Sequence, residues 1–334
     1  MAYGGVYNPG MDALAGLLEG PRARGALLLR AVMDPPWSIL VKDEAPLTLL
    51  ALTRGRAWVV IGSNPPTELA PGAVAILRGP DPYIVADDPA TPPQTMVVPG
   101  GECATLTGES LCERMGLGVR TWGTAGGATT VLIGTYQMRG EVSRRLLTAL
   151  PRLAVLPAGA WDTPLTELLE SEIAKDVPGQ DVVLDRLLDL LLIAALRTWF
   201  SRPDAGAPGW YRAAADPVVG RVLRLMHDDP ARAWTVASLA EACGVSRAAL
   251  ARRFTELVGE PPMSYLTDWR LALAADLLRE PDATIASVAR RVGYGSPFAL
   301  SAAFKRVHGV SPSAFRSGPP ESEALATLAA GARG

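Results

Sequence analysis

Histidine and cysteine are scarce in this chain: two of the first and three of the second in 334 residues. Three cysteines (Cys103, Cys112 and Cys243) are too few for a disulfide framework, and none stands in a CxxC pair, so no structural zinc site is expected. A reducing compartment fits best. Long apolar runs are missing too. The most apolar stretch, Leu187 to Phe200, is cut by Asp189 and Arg197 and falls short of the ~20 residues a membrane span needs. The opening residues, MAYGGVYNPGMDALAG, lack a basic region followed by an apolar one, so no signal peptide is expected and the protein should be soluble and cytoplasmic. Lysine is nearly absent: Lys42, Lys175 and Lys305 stand among 32 basic residues, so arginine carries most of the positive charge.

What is present is core material. With 49% of residues hydrophobic and 20% charged, the chain can fill two or three domains and is neither disordered nor collagenous. The net charge of −2 hides an asymmetry. Between Pro217 and Ser317 stand twelve arginines and Lys305 against nine carboxylates, so a mildly basic C-terminal part follows an acidic N-terminal one. That hints at a polyanionic partner.

From Gly25 to Tyr136 the chain reads as short apolar runs punctuated by Gly and Pro: WSILV, LTLLALTRG, RAWVVIG, GAVAILRGPDP, YIVADDP, QTMVVPGG and TTVLIGTY. Such spacing predicts an all-β barrel or sandwich. After Gly140 the period changes: EVSRRLLTALPRL, PLTELLESEIAKD and QDVVLDRLLDLLLIAALRTWF carry apolar residues at helical spacing. The last is too apolar to face water all round, and Leu187, Leu191 and Ile193 are expected in a homodimer contact, with packing inside one subunit as the alternative. Ser201 to Ala215, rich in Pro, Gly and Ala, reads as a linker. The tail after Arg316 reads as loosely held.

The last hundred residues repeat themselves. Thr235-Val-Ala-Ser-Leu-Ala…Gly244 aligns with Thr284-Ile-Ala-Ser-Val-Ala…Gly293 at an offset of 49. One extra residue then moves the offset to 50, and Ser246/Ser296, Leu250/Leu300, Phe254/Phe304, Gly259/Gly309, Pro262/Pro312 and Tyr265/Phe315 coincide. Each copy has the parts of a helix-turn-helix: an N-capping Thr, a helix of about eight residues closed by Gly, and a Ser-capped second helix whose Leu and Phe face inward. The outward residues are Arg247, Ala248, Ala251 and Arg252 in the first copy and Pro297, Phe298, Ser301 and Ala302 in the second. Such a helix can lie in the major groove of double-stranded DNA. The proline-opened helix of PPMSYLTDWRLALAADLLREPD can hold the copies apart, and at ~34 Å they would meet successive major grooves. A plain helical bundle does not explain small and basic residues on the outer face of both second helices.

Residues 217–316 resemble the DNA-binding domain of the AraC/XylS family of transcription regulators, through SLAEACGVSRAALARRF, RLALAADLL and IASVARRVGYGSPFALSAAFKRVHGVSPSAFR. The residues expected to contact DNA are Ser246, Arg247, Ala248, Ala251, Arg252, Ser296, Pro297, Phe298, Ser301, Ala302, Lys305 and Arg306. Arg252 matches a position the family uses for DNA contact, whereas the family often has Arg where Ala302 stands. The N-terminal part is similar, through GAVAILRGPDPY, the ADDP turn at Ala86 to Pro89, the PGGEC segment at Pro99 to Cys103 and TVLIGTY with RRLLTALPRL, to the cupin-type sensing domain of one branch of that family. The resulting layout is an α+β multidomain chain. A cupin-like β-barrel occupies 1–136, a helical dimerisation region 137–201, a linker 202–215, an all-α double helix-turn-helix 216–317, and a tail 318–334.

Cupin enzymes usually hold a metal with two or three histidines and a glutamate. Both histidines here, His227 and His308, lie in the C-terminal helices, so the barrel has no imidazole site, and neither a cofactor nor catalysis is expected. Trp58, Tyr83 and Trp122 are candidates to line an effector pocket, ordinary core packing being the alternative for each. Cys103 and Cys112 are a candidate redox pair. The expected partners are DNA, a second copy of the chain, a small effector, and RNA polymerase if the protein activates transcription. A barrel that only oligomerises is the first alternative, and a cupin-fold enzyme working through carboxylates or a thiol the second. An aromatic-walled, unblocked pocket would favour the sensor, and a barrel filled by its own side chains the scaffold.

Overall fold

The computed structural model describes residues 27–111, 113–136, 140–160 and 164–317, so Cys112 and the tail from 318 lie outside the described residues. The chain divides into two compact units, one running to Ala207 and the other from Pro208, the short segment Gly140–Val142 being grouped with the latter.

The first unit is built on two sheets. Strands β1 (Leu27–Met33), β2 (Ser38–Val41), β3 (Leu47–Arg54), β4 (Ala57–Val60), β5 (Thr67–Leu69), β6 (Val74–Arg78), β7 (Tyr83–Ala86), β8 (Thr95–Val98), β9 (Glu102–Thr105), β10 (Gly116–Gly118), β11 (Thr121–Gly123) and β12 (Thr129–Tyr136) are followed by α1 (Glu141–Thr148), β13 (Leu153–Leu156), α2 (Leu165–Ile173) and α3 (Gln180–Phe200). The order β10-β11-β1-β12-β3-β6-β13 forms one sheet and β5-β4-β7-β2-β8-β9 the other. Leu50, Leu52, Ala75 and Val131 of the first pack with Ile39, Val59, Val85 and Cys103 of the second in one core.

Strand alternation decides which side chains reach that core. In β12, Val131 and Ile133 point between the sheets, while Leu132, Gly134 and Tyr136 take the opposite face. On that outer face α3 approaches closely: the Tyr136 hydroxyl donates to the Leu188 carbonyl at 2.8 Å. A Cβ on Gly134 would lie 2.8 Å from Leu188 Cδ2. Glycine there lets the helix settle on the sheet.

Three expectations about the segments after Tyr136 are corrected. The helix expected over EVSRRLLTALPRL stops at Thr148, and Leu153–Leu156 instead adds β13 to the sheet edge, Ala154 pairing with Ile76. Pro151, which has no N–H to give a helix, lies at the break. Leu191, expected at a dimer contact, is only 2% exposed and packs within its own chain, while Leu187 and Ile193 are half-buried. Of the apolar residues that α3 leaves outside, Val182 stands apart at 63% exposure, while Val183, half-buried Leu187, Leu190 at 51% exposure and half-buried Ala194 form a row. The stretch read as a linker contains helix α4 (Gly209–Ala213), whose Ala213 is fully buried.

The second unit continues with α5 (Val219–Asp228), α6 (Val236–Ala242), α7 (Arg247–Val258), α8 (Pro262–Leu277), α9 (Ile285–Arg291), α10 (Pro297–His308) and α11 (Pro312–Arg316). It has two small cores, each around one repeat. Leu239, Leu250 and Phe254 pack with Tyr265 and Leu266 at the start of α8; Val288, Leu300 and Phe304 pack with Leu271, Ala274 and Ala275 near its end. Thus α8 serves both repeats. The histidines are packing groups here: His227 stacks on Trp269 at 4.1 Å and His308 on Phe304 at 4.2 Å.

Candidate nucleic-acid interface and effector cavity

Each repeat begins with a reciprocal cap that explains its sequence. Thr235 Oγ1 accepts from the Ser238 amide at 3.1 Å while Ser238 Oγ accepts from the Thr235 amide at 3.0 Å. Thr284 and Ser287 repeat the pair, both contacts at 3.0 Å. Two otherwise orphaned amides are thereby satisfied at each helix start. Gly244 and Gly293 close these helices with φ of 68° and 78°, the left-handed region glycine enters without a Cβ penalty. Ser246 and Ser296 then cap α7 and α10, accepting from the amides of Ala249 and Ala299 at 3.2 and 3.1 Å. The cap hydroxyls of both serines are therefore engaged inside the fold.

With Leu250, Phe254, Leu300 and Phe304 buried, the remaining faces of α7 and α10 are open. On α7, Arg247, Ala248 and Arg252 are exposed and Ala251 is half-buried. Arg252 is the more available guanidinium: its side chain is 77% exposed, with Glu256 at 3.8 Å. Arg253 beside it is committed elsewhere, its Nε and Nη2 both donating to Asp216 at 2.9 and 2.6 Å. Asp216 also accepts from the amides of Val218 and Val219 at 3.0 and 2.9 Å. Burial raises this carboxyl's pKa, but Arg253 and the two amides outweigh burial and hold it below the usual carboxylate range. Sequence reading missed Asp216, which ties the start of α5 to the candidate reading helix. Its only signal was a carboxylate just before a helical pattern.

On α10 the outward surface is apolar at one end and basic at the other. Pro297, Phe298 and Ala302 are exposed, Ser301 is half-buried with its hydroxyl donating to the Pro297 carbonyl at 2.8 Å, and Lys305 and Arg306 stand exposed in the last turn. Phe298 is 83% exposed, a large apolar ring left in water on the face expected to meet DNA.

Between the two sheets of the first unit lies a cavity of about 410 Å³. Trp37, Tyr83 and Trp122 supply its aromatic wall, with aliphatic residues such as Leu50 and Val131 around them. Tyr83 and Trp122 are placed where the sequence reading expected an effector pocket, but Trp58 is not. In β4, Ala57 and Val59 take the core face, so Trp58 between them points away. Trp37 takes the role instead. It shares a period-two face with Ile39 and Val41, a pattern legible in WSILV. Asp43 is the one charged residue of the lining. Burial pushes its carboxyl up against the pull of the Ala45 amide and its own, and burial together with the Asp43 charge pushes the Tyr83 phenol up, despite a hydrogen bond from Thr48.

A cupin fold raises the question of a resident metal. The donors along this cavity are one carboxylate, one thiol (Cys103) and one phenol, without imidazole, and no group of three His, Cys, Asp or Glu side chains gathers among the described residues. That set does not fit the metal of cupin enzymes. Cys103 is buried in the lining, and its candidate redox partner Cys112 lies outside the described residues. Among the described residues no helix is long and apolar enough to cross a membrane.

Taken together, a two-sheet domain with an internal cavity and a doubled helix-turn-helix define a cupin-like domain joined to a DNA-binding one. The cupin family model matches residues 12–201, and the family model described as a helix-turn-helix domain matches residues 239–318. An AraC-like transcription regulator of Streptomyces lividans is 35% identical over 92% of this chain and 99% of its own length, and one from Streptomyces antibioticus is 33% identical over the same shares. The chain belongs to the AraC-like family of DNA-binding transcription regulators. The DNA-binding domain of AdpA, solved in complex with a target DNA, is 34% identical, covering 31% of this chain and 92% of that one at a TM-score of 0.29.

Proposed function

We propose that this regulator is controlled by a small effector held between its two sheets, and that it acts in the cytoplasm as a homodimer on paired DNA sites. The single observation that carries the effector is the cavity. A barrel serving only to hold two copies together gains by filling its interior, because voids forfeit packing energy. Here about 410 Å³ lies open behind a wall of Trp37, Tyr83 and Trp122, within the size range of small-molecule sites.

The homodimer rests on α3. Val183, Leu187, Leu190 and Ala194 recur at alternating four- and three-residue steps on its outer side, the spacing of a two-helix seam. A second copy of the same helix presents a matching row, so the occupant we assign to this face is the twin chain. DNA contact is assigned to the outward residues of α7 and α10, with Arg252 as the principal base reader and Lys305 and Arg306 as phosphate anchors. Where the regulator activates, RNA polymerase is its further partner.

Sedimentation of the full chain tests the assembly: the wild type is expected as a dimer at micromolar concentration, and Leu190→Glu as a folded monomer. A monomeric wild type would remove the dimer. Footprinting of the purified protein on genomic fragments should show paired protected segments; a single short footprint would argue for one copy per site.

A further inference from the structure

The cavity says more about its occupant than its size does. Its wall is apolar and aromatic, its lining holds no Lys, Arg or His, and one carboxylate, Asp43, stands at a half-buried position near the exposed Gly100 turn.

We propose that the effector is a small aromatic amine, and that organic acids are excluded from the site. This inference rests on the effector reading above and gives it a chemical class. Flat rings suit the indole and phenol walls. An ammonium supplies the counter-charge that Asp43 lacks in the lining, and the same aromatic faces attract a cation. An acid of equal shape would set its carboxylate against Asp43 with no cation to receive it, which is unfavourable in a site largely screened from water.

A charge series on one skeleton tests the class with the full-length protein. Three methoxynaphthalenes, carrying an aminomethyl, a hydroxymethyl or a carboxylate group, are titrated calorimetrically at neutral pH. The aminomethyl probe should bind about tenfold tighter than the hydroxymethyl probe, and the carboxylate most weakly. In Asp43→Asn the advantage of the amine over the alcohol should shrink to about threefold or less. In Trp37→Ala, which removes one aromatic wall, all three should weaken by about threefold to tenfold. If the carboxylate binds the wild type as tightly as the amine, the amine class is wrong while an effector cavity stands. If none of the three binds at millimolar concentration to protein shown to be folded, the inference and the effector reading fall together.

Discussion

The two helix-turn-helix copies keep the same skeleton and present different faces. Both open on a Thr–Ser reciprocal cap, turn at a left-handed Gly, restart at a capping Ser and bury a Leu and a Phe four residues apart. Outside that skeleton almost nothing is shared. At the 50-residue offset Arg247, Ala248, Arg252 and Arg253 face Pro297, Phe298, Ala302 and Ala303, while Thr255 and Glu256 face Lys305 and Arg306. Positive charge sits in the first two turns of α7 and in the last turn of α10. The residues that fix the fold are thus separate from those that vary on the outward faces, and one scaffold presents two different surfaces. The basic end of α10 has a structural reward of its own, since cations there complement the helix dipole.

The sharpest way to break this equivalence of skeletons is to remove the buried rings. Phe254 and Phe304 are both fully buried, each at the centre of its own small core. Phe254→Ala and Phe304→Ala should each cost about 3–5 kcal/mol in urea unfolding of the full chain. Unequal costs, with one ring tolerated as alanine, would show that one copy is held by its neighbours rather than by its own core.

A smaller effect separates the faces. Arg252→Ala should weaken cognate DNA by about 1–3 kcal/mol and relax preference at one or two adjacent base pairs. Lys305→Ala and Arg306→Ala should weaken all sequences alike and lower the salt slope by about one unit per lost contact. Titrations on the operator and its single-base variants at several salt concentrations decide between them. Uniform weakening by Arg252→Ala, with altered base preference in Lys305→Ala, would exchange the two roles.

Much of this was legible in the sequence because it is local. Caps, left-handed glycines and four-residue Leu–Phe spacing are decided within a few residues, so the repeat and its elements follow from Thr235, Gly244, Ser246 and their counterparts. The strands were legible through turn-bounded runs, yet which face of each run points inward depends on partners far along the chain. Trp58, which the sequence suggests, and Trp37 are both tryptophans in strand-like runs, and only the sheet order shows which one shares the face of Ile39 and Val59. The same holds on α3, where an apolar helix offers several candidate seams. The one left outside, through Leu190, was settled by the sheet and by α2, and not by the helix's own period.

The least visible difference between the copies is a brace that only the first possesses. Asp216 holds the amides of Val218 and Val219 and both nitrogens of Arg253, whereas Ala303 stands where the second copy would need the arginine. The side chain of Asp216 is 13% exposed, so this is a mostly buried charge with four donors rather than a surface pair. Asp216→Asn should destabilise the domain by about 1 kcal/mol at neutral pH, the scale of a lost helix-start carboxylate. Because the folded pKa is held below the unfolded value near ~3.9, the contribution is complete above that value and is lost as pH falls through the folded one. Unfolding curves of wild type and variant should therefore differ by a constant amount from neutral pH down to about pH 5 and converge at lower pH. Arg253→Ala should cost a similar amount, and the double variant less than the sum, since both changes remove the same contact. A gap that widens toward acid would mean that burial, and not the arginine and the amides, governs Asp216, and that α7 is positioned by its apolar face alone, as α10 is.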